Sequence, residues 1–374
     1  MPLRAYINNQ EIISIDQDDK QWEDLKKRLK SKEAVVILSC YNQQGFLRTS
    51  NKGLKHFVHA KSISHCDWKP ESPEHLRAKI EILEACKKNS WKAIPEFSEA
   101  NWRADVLAIQ NHKRIAFEIQ WSKQTLEETK LRQERYKESK VRGCWFFRTI
   151  PKELREYFRP IKADKELPAF KIFKDDNSNI IVQLKEIQIP LKTFVACLLK
   201  SQVKYCEHIT LKPMQKVTII FFMTTCWKCH RPQYLWTVDR NLKTVCNLDF
   251  YLMGSMWNNK DLDKNQKIYE AVKGFLKTEQ GYNLKIGQLK TRYSKTAEEH
   301  YLSYGCYYCD SIFGDWFLRT EKMEGQHDPK SLRYEVEIEL EPVRESMPHW
   351  CYSENVQFCE WIQLLEQKGH PMLS

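Results

Sequence analysis

Along the amino-terminal half, apolar positions switch repeatedly between strand-like runs and helical spacing. Gln21 to Lys30 reads as a short charged helix, Ala34 to Leu38 as a buried strand and Gly45 to Thr49 as its hairpin partner, with Lys55 to Ala60 continuing the same small sheet. After a polar loop around Asp67 to Glu71, Ser72 followed by Pro73 predicts a helix start, because serine caps free amides and proline fits the first turn. Leu76, Ile80, Leu83 and Lys87 recur at helical spacing, so this element presents one apolar face to a core and runs to Asn89.

Three extended segments follow, Trp91 to Phe97, Ala104 to Ile109 and Arg114 to Gln120, the last two joined by a turn at Gln110 to Lys113. A second helix is predicted from Lys123 to Ser139, stopping before Gly143, and Cys144 to Phe147 is another buried strand. The order helix, three strands, helix, strand is a domain core in itself. Pro160, Pro168 and Pro190 with the polar cluster Lys174 to Asn179 mark a boundary. Further on, Val217 to Met223 reads as a buried strand, Glu335 to Glu341 as an alternating strand with one charged face, and Val356 to Lys368 as an amphipathic helix. The resulting organisation is an N-terminal segment (1–30), a catalytic-type core (31–160), a connecting region (161–200), a cysteine-paired domain (201–320) and a strand-and-helix extension (321–374).

Composition narrows the class. The 374 residues are enough for two or three domains, and a formal charge of +11 attracts the chain to polyanions such as DNA or RNA. No run of about 18 apolar residues occurs. Asn8, Asn9, Gln10 and Glu11 stand where a signal peptide needs an apolar stretch, so the expectation is a cytoplasmic protein with no membrane partner. Thirteen cysteines, an odd number spread through a chain without a secretion signal, argue against a disulfide framework and for metal ligation by closely spaced pairs.

Side-chain direction brings in chemistry. Alternate strand residues share a face, so Glu118 and Gln120 point one way while Phe117 and Ile119 point into the core. Pairing of Ala104–Ile109 with Arg114–Gln120 across the hairpin would bring Asp105 towards Glu118. Two carboxylates that close need a cation between them, and Mg²⁺ (or Mn²⁺) with oxygen ligands suits that need. Such an ion lowers the pKa of a bound water and stabilises the charge of phosphodiester hydrolysis.

The order of elements and the motifs Glu74-His75-Leu76-Arg77-Ala78-Lys79, Arg103-Ala104-Asp105-Val106 and Glu118-Ile119-Gln120-Trp121-Ser122 resemble the CoiA-like competence protein family, whose core belongs to the PD-(D/E)XK nuclease superfamily. His56-Phe57-Val58-His59 looks like the family's His-Phe-x-His signature, and Arg132 with Tyr136 like its Arg/Tyr pair on the second helix. The resemblance covers Ala34 to Phe147. It implies a PD-(D/E)XK restriction-endonuclease-like core, so that the expected fold class is α/β (α+β), with a small N-terminal sheet and, from the cysteine pairs described below, a separate zinc-binding C-terminal domain. It further implies that Asp105 and Glu118 are the metal ligands, that Gln120 replaces the usual lysine, and that Glu74, with Glu71 as the alternative, is an auxiliary acid. Arg132, Tyr136 and Lys123 would face the substrate. A neutral amide at position 120 contributes no net charge to the transition state, so a second metal or one of Lys79, Lys123 and Arg132 would have to supply it.

The second half carries its own signal. Cys226-Trp227-Lys228-Cys229 and Cys306-Tyr307-Tyr308-Cys309 are two CxxC pairs, and four thiolates so arranged match a closed, structural tetrahedral Zn²⁺ site, with Cys246 and His230 as substitute ligands. From Lys192 to Lys228, six lysines and one glutamate are interleaved with Phe194, Tyr205, Phe221 and Phe222, a composition suited to nucleic-acid contact. Together these features predict a metal-dependent nuclease acting on DNA in uptake, recombination or defence against foreign DNA. The alternatives are a catalytically inactive nucleic-acid-binding protein, or a scaffold whose zinc domain recruits protein partners.

Overall fold

Strand formation in the N-terminal region follows the apolar runs. In the computed structural model, a five-stranded antiparallel sheet has the order β2-β1-β3-β4-β5, with β1 Arg4–Ile7, β2 Gln10–Ile13, β3 Val36–Leu38, β4 Gln43–Thr49 and β5 Lys55–His59. Helix α1 (Asp19–Lys30) is started by a reciprocal capping box between Asp18 and Gln21, and it lays Trp22 and Leu25 onto the sheet, the indole 5.5 Å from the Phe57 ring. The structure describes residues 2–38, 43–51, 53–60, 71–99, 101–155, 162–184, 187–239, 242–246, 265–340, 344–354 and 358–359. Pro160, Trp257, the loop before Glu71 and nearly all of the helix expected over Val356 to Lys368 lie outside them.

The chain divides into two units, one formed by Met1–Tyr205 with Pro348–Val356, the other by Cys206–Met347 with Gln357–Ser374. The first unit is built on a seven-stranded mixed sheet of order β12-β11-β10-β9-β8-β7-β6. Its β6 (Lys92–Glu99), β7 (Trp102–Gln110) and β8 (Lys113–Gln120) form an antiparallel meander. Helix α3 (Leu126–Glu138) then crosses over to β9 (Arg142–Phe147), which pairs parallel with β8, and β10 (Ala169–Lys174) pairs parallel with β9. A residue period of two sorts the two faces. Phe117, Ile119, Phe146 and Phe170 pack with Leu76, Ile82, Phe194 and Val195 of α2 (Pro73–Lys88) and α4 (Leu191–Leu199), whereas Leu107, Ala116, Trp145 and Phe147 pack around Tyr136 of α3.

This arrangement alters one expectation and sets the surroundings of Glu118. Residues 161–200 do more than connect: β10, β11 (Ile180–Leu184), β12 (Ile187–Pro190) and α4 complete the sheet and its cover. The face of β8 opposite Phe117 and Ile119 is likewise no open surface, because α3 covers it and leaves Glu118 only 1% exposed.

In the second unit, following β13 (Val203–Thr210), the long strand β14 (Met214–Thr225) is flanked by β15 (Pro232–Val238) and β18 (Leu332–Glu339), all antiparallel. β16 (Lys290–Ser294) and β17 (Glu299–Ser303) make a separate hairpin. Helices α5 (Gln266–Phe275) and α6 (Asp315–His327) add Ile268, Val272, Phe275 and Leu318 to the core of Val217, Ile219, Phe221, Leu235 and Trp236. Gly325 lets α6 approach β14, since a Cβ there would meet the Phe222 ring at 2.2 Å. The molecule is thus a mixed α/β protein with several sheets. No helix among the described residues is long and apolar enough to cross a membrane.

Candidate functional site

The site in the first unit begins at an irregularity in the sheet. Pairing between β6 and β7 runs Pro95↔Val106 and Phe97↔Ala104, omitting Glu96 and Asp105, and Glu96 has φ +46°. The pairing of β7 with β8 also stops at Val106↔Phe117. Side-chain parity slips at the same place: Trp102 and Ala104 lie under α3, whereas Val106 and Ala108 lie under α2. Asp105 sits at the slip. Its Oδ2 accepts the Ile119 amide at 2.8 Å, so the carboxylate replaces the next ladder bond and spans the gap to β8.

On one side of Asp105 is the first turn of α2. Ser72 caps the helix by accepting the His75 amide at 3.1 Å, and Pro73 occupies its first turn. That start places His75 Nε2 3.3 Å from Asp105 Oδ1. The ligand atoms of Glu71, His75 and Asp105 all lie within 4.8 Å of one another, so they form a candidate metal cluster. One turn further along α2, the fully buried Lys79 Nζ is 2.7 Å from Glu71 Oε2 and 2.6 Å from Glu96 Oε1. The Glu96 carboxylate also accepts the Leu3 amide. Burial opposes ionisation of Asp105, but His75, Lys79 and the Ile119 amide outweigh it and hold the group well below the usual carboxylate range. For His75 burial works against the charged form, and the adjoining Asp105 wins, raising its pKa.

On the other side lies Glu118, with a different environment. Arg132 Nη2 contacts its Oε2 at 2.5 Å, the Tyr136 hydroxyl contacts its Oε1, and Gln120 Nε2 reaches Oε2 at 3.5 Å. Arg132 is two-thirds covered and lies 5.1 Å from the centre of the Trp145 ring. Burial pushes Glu118 up to about 7 despite Arg132. The Tyr136 hydroxyl is also 2.7 Å from the Arg103 carbonyl. A protonated Glu118 would let the hydroxyl give its one proton to that carbonyl while accepting another. The two carboxyls thus stand in environments that move their pKa values in opposite directions.

The site residues named from sequence are distributed as follows. Glu118 and Gln120 at the end of β8 meet Arg132 and Tyr136 of α3, and Asp105 reaches β8 from the pairing gap in β7. Glu74 instead turns towards Lys174, at 3.5 Å, and stands outside the Glu71–His75–Asp105 cluster; the acid beside Asp105 is Glu71. Lys123 is exposed. His56 is buried, with Nδ1 3.0 Å from the Leu54 carbonyl. His75 was overlooked as a ligand, although its place four residues before Lys79 already put both on one helix face.

The second unit contains the cysteine site. Both CxxC pairs fold as matching turns: the Cys226 amide bonds the Arg231 carbonyl and the His230 amide the Cys226 carbonyl, as Cys306 does with Ser311 and Asp310 with Cys306. His230 and Asp310 occupy the left-handed region at φ 56° and 59°. Cys226–Cys309 and Cys229–Cys306 Sγ distances are both 3.7 Å, and all four sulfurs lie within 4.8 Å of one another. Zinc–sulfur bonds of about 2.3 Å at tetrahedral angles require sulfurs about 3.8 Å apart, so the four thiols fit Zn²⁺. Bonds from Ser311 lower the Cys309 thiol to about 6. His230 and Cys246 lie outside this set; Cys246 Sγ is 3.5 Å from that of Cys359. Among the described residues no cysteine is joined in a disulfide.

No curated protein and no solved structure matches the chain. A family model does match, over less than half of the chain but across α2, the seven-stranded sheet and the start of the second unit, and it ends just before the first cysteine pair. Residues 71–225 match the model described as competence protein CoiA, nuclease-like domain, and this part of the chain is similar to that domain.

Proposed function

We propose that the protein is a metal-dependent nuclease of the PD-(D/E)XK type that hydrolyses phosphodiester bonds in DNA, in DNA uptake, recombination or defence against foreign DNA. The observation that supports this reading best is the grouping of Glu71, His75 and Asp105 within 4.8 Å of one another where the β6–β7 pairing is interrupted. Glu71, His75 and Asp105 would hold the ion, while Glu118, expected from sequence as a second ligand, lies outside that cluster and is held by Arg132 and Tyr136. A divalent ion bound there supplies a nucleophilic water and charge neutralisation at the phosphate. The imidazole of His75 favours Mn²⁺ over Mg²⁺, which prefers all-oxygen ligands. Arg132, one-third exposed beside Glu118, is placed to offset phosphate charge that a lysine at position 120 would otherwise meet. Lys79 is committed to two carboxylates and acts on Asp105 only through space.

The test is cutting of labelled single- and double-stranded DNA with Mg²⁺ or Mn²⁺ by the wild type, Asp105→Ala and Glu118→Ala. Wild type should cut, faster with Mn²⁺, and both variants should not. Equal binding with no cutting by any of the three would favour a nucleic-acid-binding protein on a nuclease-like frame, a reading that the ties of Glu118 to Arg132 and Tyr136 keep in view.

A further inference from the structure

The basic, aromatic stretch from Lys192 to Lys228 does not form a stacking surface. Phe194, Phe221 and Phe222 are buried, Tyr205 packs edge-on against Trp350 at 5.7 Å, and Lys192 pairs with Glu84. Among the exposed aromatic rings of the second unit, Tyr282, Tyr293 and Trp316 are scattered, whereas two stand at matching positions on the cysteine turns. Trp227 follows Cys226 and Tyr307 follows Cys306, so each occupies the same position in its turn; they are 56% and 49% exposed.

Neither ring is loose. The Trp227 indole Nε1 donates to the Ile312 carbonyl at 2.9 Å, anchoring it to the opposite turn, and the Tyr307 amide donates to Gln233 Oε1 at 2.7 Å. Tyr307 meets Tyr308 edge-on at 5.1 Å. Cations surround the rings: Arg231 lies 4.3 Å from the Tyr308 ring centre, Lys285 lies 5.6 Å from that of Tyr307, and Lys228 is exposed beside Trp227. The lone acid on the two turns, Asp310, is engaged by Arg292 at 2.6 Å and Lys290 at 2.8 Å. Rigid π faces ringed by cations fit unstacked bases on a phosphate chain, whereas paired bases in a duplex offer no face to stack on.

We infer that the face formed by the two cysteine turns, with Trp227 and Tyr307 as stacking platforms and Lys228, Arg231 and Lys285 as phosphate contacts, binds single-stranded nucleic acid. This site is additional to the nuclease-like centre. The test uses the full chain with Asp105→Asn, so that binding is read without cutting and its outcome does not depend on the nuclease reading. Affinity for a labelled oligodeoxythymidylate is measured by fluorescence anisotropy, with zinc content followed by metal analysis. Trp227→Leu and Tyr307→Leu should each weaken binding about tenfold, while Trp227→Phe and Tyr307→Phe stay within about twofold of the parent, zinc being retained throughout. The inference is overturned if the Leu and Phe variants bind alike, whether tightly or weakly, or if binding falls only in step with zinc.

Discussion

At the residue scale, the buried cation Lys79 illustrates how the site is held. It carries two carboxylates, Glu71 and Glu96, and Glu96 in turn fixes the Leu3 amide opposite the gap in β7. Replacing Lys79 with Met leaves two acids without a counterion away from water, an error that costs about 3–5 kcal/mol. Denaturant unfolding of Lys79→Met should show that loss, and adding Glu96→Gln should recover part of it. A loss within experimental scatter would mean that the cluster does not stabilise the fold. Sequence reasoning named Asp105, Glu118 and Gln120 because strand alternation and motif spacing are local. It missed His75, and set Glu74 before Glu71, because which acid meets Asp105 depends on the pitch of α2 over the sheet, a long-range property that one helix period leaves undetermined.

Elements were more legible than their covers. The helix–three strands–helix–strand order stands in the structure with ends shifted by a few residues, since capping serine, proline and glycine act within a single turn. What stayed hidden is that β10, β11 and β12 join the same sheet: strand pairing across a proline-rich stretch leaves no local trace. Glycines at the cysteine turns show the same dependence on distant neighbours. A Cβ on Gly287 would stand 1.8 Å from the Gly305 carbonyl, in backbone immediately before Cys306. Gly287→Ala should therefore displace the second turn and lower bound zinc by up to about one ion per chain relative to the wild type, as Cys226→Ser should by removing a ligand. Metal analysis of the purified variants decides it, and full zinc in both would remove the four-cysteine assignment.

For the molecule as a whole, a formal charge of +11 predicts that nucleic-acid affinity falls steeply with salt, whichever face is occupied. Counterion release separates charge from stacking. Each phosphate neutralised on a single strand contributes about −0.7 to the slope of log K against log salt. Replacing Lys228 or Lys285 with Gln should flatten that slope by about 0.7 in each variant, provided that both reach phosphates. Trp227→Leu should lower affinity at every salt concentration and leave the slope unchanged, because a ring releases no counterions. A salt titration of the four proteins, parent included, on one oligodeoxythymidylate distinguishes the two contributions. An unchanged slope in the lysine variants would place the phosphate contacts elsewhere on this basic chain, and a changed slope in Trp227→Leu would show that the substitution had moved the surrounding cations.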